Sequence, residues 1–239
     1  MEFGLWEKYY KDIIEDFGFS RSGDEKSAKL LDEILSTEGC LTLDDLSQIV
    51  GFSDKFIVFG AGPSLKNHVL MLKENHDLKD YVLVAADGAT TALIEEKISP
   101  DIVCTDLDGN VDDILLANLR GANMVIHAHG DNIDKVATLS SLFSNVLGTT
   151  QAQPIGNLYN FGGFTDGDRA LFLSVALGAS EIILAGMDFG DKVTKYSRPD
   201  LEVKVEGADE FKRKKLLYAE KFTNWITENE PVNVINLLE

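Results

Sequence analysis

Three apolar stretches of this chain run straight into aspartate. They are Tyr81 to Asp87-Gly88, Asp101 to Asp106-Leu-Asp108-Gly109, and Met124 to His127-Ala-His129-Gly-Asp131. If each is a strand of an open parallel sheet, their ends lie side by side at the carboxyl edge, where such sheets bind ligands. Four carboxylates and two imidazoles would then share one crevice. Unpaired carboxylates raise one another's pKa until a proton or a cation relieves them. An oxygen-rich cluster of this kind suits Mg²⁺, which takes one or two carboxylates together with substrate phosphates. These residues point to metal-assisted phosphate chemistry.

Other motifs would complete such a site. Gly60-Ala-Gly62-Pro63-Ser64 follows an apolar run and opens a helical pattern, so its glycines allow close approach and its free amides attract phosphate. The third glycine of a dinucleotide fingerprint is missing, yet Asp87 stands at the next strand end, where a ribose-binding acid would be. A ribose role for Asp87 therefore competes with a metal role. Asp106 and Asp108 sit on one turn and can serve one ion, although Asp-Gly is also an ordinary turn pair. His127 and His129 fall on one side of an extended strand; a role behind the carboxylates or against a phosphate fits them better than zinc, whose other usual ligands are lacking. Gly162-Gly-Phe164-Thr165-Asp166-Gly-Asp168-Arg169 begins a helix, with Thr165 as its cap and Asp168 at the capping-box position. Both acids can also face the crevice, and Arg169 can pair with them or hold a phosphate. Gly186-Met-Asp188-Phe-Gly190 ends a further strand, and Lys192, Lys195 and Arg198 make the next loop cationic. That loop is expected to close over a triphosphate, whereas Lys212 to Lys215 is expected to be a solvated helix face.

The elements that must position these groups follow from the apolar pattern. Strands are expected at Phe56–Gly60, Tyr81–Ala86, Ile102–Thr105, Met124–Ala128, Val146–Thr149 and Glu181–Ala185. Helices are expected at Pro63–Glu74, Thr90–Lys97, Val111–Leu119, Ile133–Leu142 and Asp166–Leu177. Near-continuous apolar strands between helices mean an α/β, Rossmann-like, mostly parallel sheet with helices on both faces. Asp191–Glu206 reads as a loop or lid, Phe211–Thr227 as a helix and Val232–Leu238 as a last, edge strand. Residues 1–50 carry 12 acidic and 5 basic side chains and no strand-like run. Trp6, Tyr9, Tyr10, Ile13, Ile14 and Phe17 recur at helical spacing, Asp24–Leu35 forms a second helix, and Thr42 caps a third with Asp45 in the capping box. This region is expected as a small helical cap on an α/β catalytic domain over residues 51–239. It would pack on that domain or make a subunit contact, which leaves a homo-oligomer open.

Composition excludes several classes. With 22 basic and 40 acidic residues the net charge is −18, which argues against nucleic acid and anionic membranes as partners. Cys40 and Cys104 are too few for a disulfide framework or a structural zinc site. No apolar run approaches the roughly 18 residues of a membrane span, and the first residues are not signal-like, so a cytoplasmic setting is expected.

Taken together, the motifs resemble the archaeal 6-hydroxymethyl-7,8-dihydropterin pyrophosphokinase family over roughly residues 55–200. The signature comprises Gly60-Ala-Gly-Pro-Ser-Leu, Ala86-Asp-Gly-Ala, Asp106-Leu-Asp-Gly, His127-Ala-His-Gly-Asp-Asn, Gly163-Phe-Thr-Asp-Gly-Asp-Arg and Gly186-Met-Asp-Phe-Gly. Ala86-Asp-Gly, Pro100-Asp and Asp106-Leu-Asp also look like thiamine pyrophosphokinase, which has Asp-Ser where this chain has Asp108-Gly109. A wider likeness extends to glycosyltransferase-like domains of flagellin-modifying proteins. The resemblance implies transfer of diphosphate from ATP to a pterin alcohol with release of AMP, on the way to tetrahydromethanopterin or a related folate. On that reading Mg²⁺ goes to Asp87, Asp106 and Asp108, and Asp166 or Asp168 adds a ligand or orients the hydroxyl. Gly60, Gly62, Ser64, Gly88, Lys195 and Arg198 hold the nucleotide, and His129 touches a phosphate oxygen. Asn160, Phe164 and Asp188 are placed to meet the pterin. A nucleotide-sugar glycosyltransferase would use the same carboxylates without making AMP. A non-catalytic nucleotide-binding module would keep Asp87 on a ribose and need no metal.

Overall fold

The computed structural model describes residues 1–201, 203 and 205–238. Glu202 and Lys204, inside the expected loop, and Glu239 lie outside the described residues. Three helices come first: α1 (Phe3–Phe17), α2 (Arg21–Glu38) and α3 (Leu43–Val50). Thr42 and Asp45 close a reciprocal capping box at the start of α3, as their spacing requires. Strands and helices then alternate: β1 (Lys55–Phe59), α4 (Leu65–Asn75), β2 (Val82–Ala86), α5 (Ala89–Glu95), β3 (Ile102–Thr105), α6 (Val111–Leu119), β4 (Asn123–Ala128), α7 (Ile133–Leu139) and β5 (Val146–Thr150). A two-residue strand that the sequence pattern does not announce, β6 (Leu158–Tyr159), precedes α8 (Asp166–Ala176) and β7 (Glu181–Ala185). The expected lid contains a small antiparallel hairpin, β8 (Lys192–Thr194) with β9 (Val205–Gly207), before α9 (Glu210–Asn229) and β10 (Asn233–Asn236).

The main sheet runs β10-β7-β1-β2-β3-β4-β5-β6, and every neighbouring pair is parallel. Strands β1 to β6 spread one way from β1, while β7 and β10 lie on its other side. The strand order therefore reverses between β1 and β7, the kind of crevice where open α/β sheets bind ligands. To return from β6 to β7, α8 crosses the sheet beneath β1, β2 and β3. Its first turn is thereby brought to the acid-bearing strand ends.

Alternation along the strands builds two cores. Ile57 and Phe59 face α2, α4, α5, α6 and α7 with Leu31, Leu35, Leu65, Leu72 and Leu93. Phe56 and Val58 face α1, α3, α8 and α9 with Trp6, Tyr10, Leu46, Phe172 and Phe222. The first fifty residues contribute to both cores. Among the described residues, no helix is long and apolar enough to cross a membrane.

Candidate active site at the carboxyl edge of the sheet

Two backbone turns place the acids. Asp87 leaves β2 with φ of 44°, and Leu107 stands at 68° between Asp106 and Asp108. Aspartate tolerates this left-handed region, but for a buried leucine it is strained and persists only where the surroundings enforce it. The Thr105 hydroxyl supplies one enforcing contact, accepting from the Leu107 amide at 2.8 Å, and it donates to Asp87 Oδ1 at 2.5 Å. Gly109 is needed because a Cβ there would stand 2.4 Å from Asp87 Oδ2. Asp166 arrives from the first turn of α8. One oxygen from each of Asp87, Asp106, Asp108 and Asp166 then lies within 4.8 Å of the others.

This crowding divides the four carboxyls electrostatically. Burial first, and then Asp166, Asp106 and Asp108, push Asp87 well above the usual carboxylate range. Asp166 is pushed up to about 8 by burial and then by Asp106. Asp108, at the open side of the crevice, is raised by desolvation and by Asp106. Asp106 alone goes the other way. Burial opposes its ionisation, but the hydrogen bond and charge of His129, with Arg169 behind them, hold it well below the usual range. The buried Oδ1 of Asp106 has no protein partner. A divalent cation would satisfy that atom and relieve the repulsion together. An all-oxygen donor set of this kind suits a hard divalent cation such as Mg²⁺. The donor set fits this ion.

A second layer orients the first. His129 Nδ1 accepts from the Asp131 amide at 3.3 Å, which leaves Nε2 to donate to Asp106 Oδ2 at 3.2 Å. Asn132 donates to the carbonyls of Asp106 and His127 at 2.8 and 2.7 Å and accepts from the His129 amide. The Gly130 amide donates to Asp24 Oδ1 of α2 at 2.7 Å, and Asp24 Oδ2 accepts from Tyr10 and Gln151. Arg169 donates to Asp166 Oδ1 at 3.2 Å and to Gln151 Oε1 at 3.3 Å. Asp24, Gln151 and the crevice-lining Phe19 escape sequence reading, because their partners lie in distant parts of the chain. His127 is buried below the crevice with Nδ1 against the Thr149 hydroxyl at 3.0 Å. Burial and then Arg169 push its pKa down, so it is a neutral ring.

At the switch point, Gly60 and Gly62 face Gly186 and Asp188. A Cβ on Gly62 would lie 2.1 Å from Asp188 Oδ2, the oxygen that accepts from the Ser64 amide and hydroxyl at 3.1 and 2.7 Å.

Comparison with known proteins settles the lineage. The family model described as 6-hydroxymethylpterin diphosphokinase MptE-like matches residues 27–194, more than half of the chain. A Methanothermobacter thermautotrophicus protein named 6-hydroxymethyl-7,8-dihydropterin pyrophosphokinase is 52% identical over 98% of this chain and 99% of its own length. A Pyrococcus furiosus protein of that name is 44% identical over 98% of both chains, and one from Methanocaldococcus jannaschii is 42% identical over 95% and 97%. The chain belongs to this family. Among solved structures, the Maf glycosyltransferase from Magnetospirillum magneticum AMB-1 superposes with a TM-score of 0.52 at 16% identity, over 77% of this chain and 33% of that one. That likeness shows a shared fold.

For this pterin pyrophosphokinase family member, the crevice gathers most of the expected residues. Gly60, Gly62, Asp87, Gly88, Asp106, Asp108, His129, Phe164, Asp166 and Asp188 all line it. The structure places the remaining expected residues outside the crevice lining. Asp168 is fully buried and accepts from the Phe164 and Thr165 amides at 2.6 and 2.8 Å, so its carboxylate caps α8 and does not line the crevice. Asn160 donates to the carbonyls of Gln151 and Ala152, both at 3.0 Å, and tethers a loop outside the lining. Ser64, also outside it, is spent on Asp188. Lys195, paired with Glu95 at 3.8 Å, and Arg198, paired with Asp209, are likewise absent from the lining. Among the described residues, the cations that do line it are Arg169, Lys192, Lys212 and Lys215. The face of α9 expected to be solvated is therefore partly a wall of the site.

Proposed function

We propose that this crevice transfers diphosphate from ATP to the hydroxymethyl group of 6-hydroxymethyl-7,8-dihydropterin, releasing AMP, in the cytoplasm and on a route to a tetrahydromethanopterin-type pterin. The observation that carries the reading is the cluster of Asp87, Asp106, Asp108 and Asp166 within 4.8 Å, in a member of the pterin pyrophosphokinase family. Mg²⁺ held by Asp87, Asp106 and Asp108 would neutralise charge on the phosphates and help align them. The hydroxymethyl oxygen attacks the β-phosphorus in line, the bond from that phosphorus to the α,β-bridging oxygen breaks, and AMP leaves. Such a transfer asks the protein mainly to position groups and to stabilise charge.

Each residue has a part in that task. The glycine turn at Gly60–Gly62 admits the phosphate chain close to backbone. Thr105 fixes Asp87, and His129 keeps Asp106 ionised at its buried place. Asp166, steered by Arg169, orients the alcohol and, once a bound divalent cation had displaced its own proton, would receive the alcohol's. Phe164 and Phe19 offer flat apolar surface for the ring.

Product analysis tests the reading. Incubation with ATP, Mg²⁺ and the pterin alcohol is expected to yield AMP and pterin diphosphate in equal amounts. Asp106→Asn and Asp108→Asn are expected to lower kcat/KM roughly 100-fold or more while leaving the fold intact. Near-normal rates in both variants would remove the metal assignment. Absence of AMP from a nucleotide-binding protein would turn attention to thiamine and then to sugar nucleotides.

A further inference from the structure

The crevice presents charges of both signs, and the cationic side comes from a helix outside the residues matched by the family model. That match ends at residue 194, whereas Lys212 and Lys215 lie in the first two turns of α9. Both line the same crevice as the carboxylates, as does Lys192 of β8. In a chain with 40 acidic residues and 22 basic ones, a half-buried lysine ordinarily finds a carboxylate. Their neighbours do so: Lys195 pairs with Glu95, Arg198 with Asp209 and Lys214 with Asp16. Among the described residues, the ammonium groups of Lys212 and Lys215 belong to no ion pair. Lys215 is steadied instead by ring faces, 5.6 Å from the centre of Phe164 and 6.0 Å from that of Phe211.

This arrangement selects a class of ligand. A simple anion would meet four carboxylates, and a simple cation would meet the lysines. A polyphosphate chelated to a divalent cation satisfies both walls, with its metal toward the acids and its free oxygens toward the amines. We propose that Lys212 and Lys215 bind the phosphate chain of the nucleotide, which makes α9 a component of the nucleotide site. The inference rests on the reading of the crevice as a diphosphate-transfer site. It adds that amines as well as carboxylate-held metal grip the chain, so that cations offset the charge accumulating on the departing nucleotide.

The test is direct binding of Mg²⁺-tripolyphosphate to the full chain by calorimetry, beside steady-state kinetics with ATP and the pterin alcohol. Lys212→Ala and Lys215→Ala are each expected to weaken tripolyphosphate binding roughly tenfold to hundredfold, as loss of one charge-assisted contact does. The KM for ATP should rise in parallel, and for Lys212→Ala that for the pterin should stay unchanged. Lys212→Arg should retain most of the affinity, which separates loss of charge from loss of folding. Arg213→Ala, on the exposed side of α9, should behave as the unmodified protein. Equal tripolyphosphate binding by the unmodified protein and the Lys212→Ala/Lys215→Ala double variant would overturn the proposal, as would an unmodified protein that binds none. Lysine-dependent binding without AMP formation would uphold the phosphate grip and retire the pterin reading alone.

Discussion

At the scale of single residues, the site is an electrostatic compromise that the fold tolerates for the sake of a ligand. Asp166 carries a folded-state pKa of about 8 against an ordinary value of 3.8. Between those values the folded protein keeps a proton that the unfolded chain has released. Without a divalent cation, its contribution to stability therefore falls as pH rises from about 4 to about 8. Asp106 is shifted oppositely, so its contribution is present at neutral pH and is lost only on strong acidification. We expect the cation-free protein to melt at a lower temperature near pH 8 than near pH 5.5, and Asp166→Asn to remove much of that difference. Each kcal/mol relieved should raise Tm by about 2–4 °C in a chain of this size. Mg²⁺ should stabilise the native protein more at the higher pH. Equal Tm values at both pH values, unaffected by Asp166→Asn, would contradict this account.

At the scale of elements, tight approaches between loops hold the crevice together. Gly88 stands at the N-cap of α5, and a Cβ placed there would lie 1.7 Å from the carbonyl oxygen of Tyr196, in the segment joining the β8–β9 hairpin. Tyr196 is in turn fastened to Glu95 of α5 through its hydroxyl at 2.7 Å. Gly88→Ala must push this segment, with Tyr196 that packs at the edge of one core, away from the strand ends. Easier proteolysis around residues 195–203 is expected, with a KM for ATP raised roughly tenfold or more by misplacement of groups at the site. An unchanged cleavage pattern together with an unchanged KM for ATP would refute this account. The loop was legible as polar, cationic and bounded by glycine. Its short hairpin was not, because Lys192-Val-Thr and Val205-Glu-Gly are too brief to show alternation.

At the scale of the whole molecule, the amino-terminal helices and the sheet share both cores. Trp6, Tyr10, Ile13, Leu31, Leu35 and Leu46 are all fully or almost fully buried. Each fully buried large apolar side chain stabilises by about 1.5–3 kcal/mol, and a domain's net stability is only about 5–15 kcal/mol. Residues 51–239 alone are therefore expected to lack a cooperative melt; a sharp thermal transition in that fragment would refute the expectation. Asp24 joins the same helices to the site, holding the Gly130 amide, Tyr10 and Gln151 together. Asp24→Ala would leave buried donors without acceptors, at roughly 2–5 kcal/mol, and should lower turnover by loosening the loop that carries His129. A variant as stable and active as the parent would show that this link is dispensable.

The alternation of strands and helices, the parallel sheet and the acid-bearing turns are legible in the order of amino acids. These rest on local physics: continuous apolar runs, capping residues three positions apart, and glycines where backbones meet. That order also carried the family, because the motifs are contiguous. Tertiary structure alone decided which charged groups face the ligand. Asp166 and Asp168 stand two residues apart on one helix, yet one enters the crevice and the other turns back to cap it. Lys212 and Lys215 became a wall of the site only when α9 packed against α8, and Lys195 and Arg198 left it by finding carboxylates of their own. Asp24 reached the His129 loop from a hundred residues away. A side chain's direction depends on how its element is rotated against distant neighbours, and no local pattern in the chain encodes that rotation.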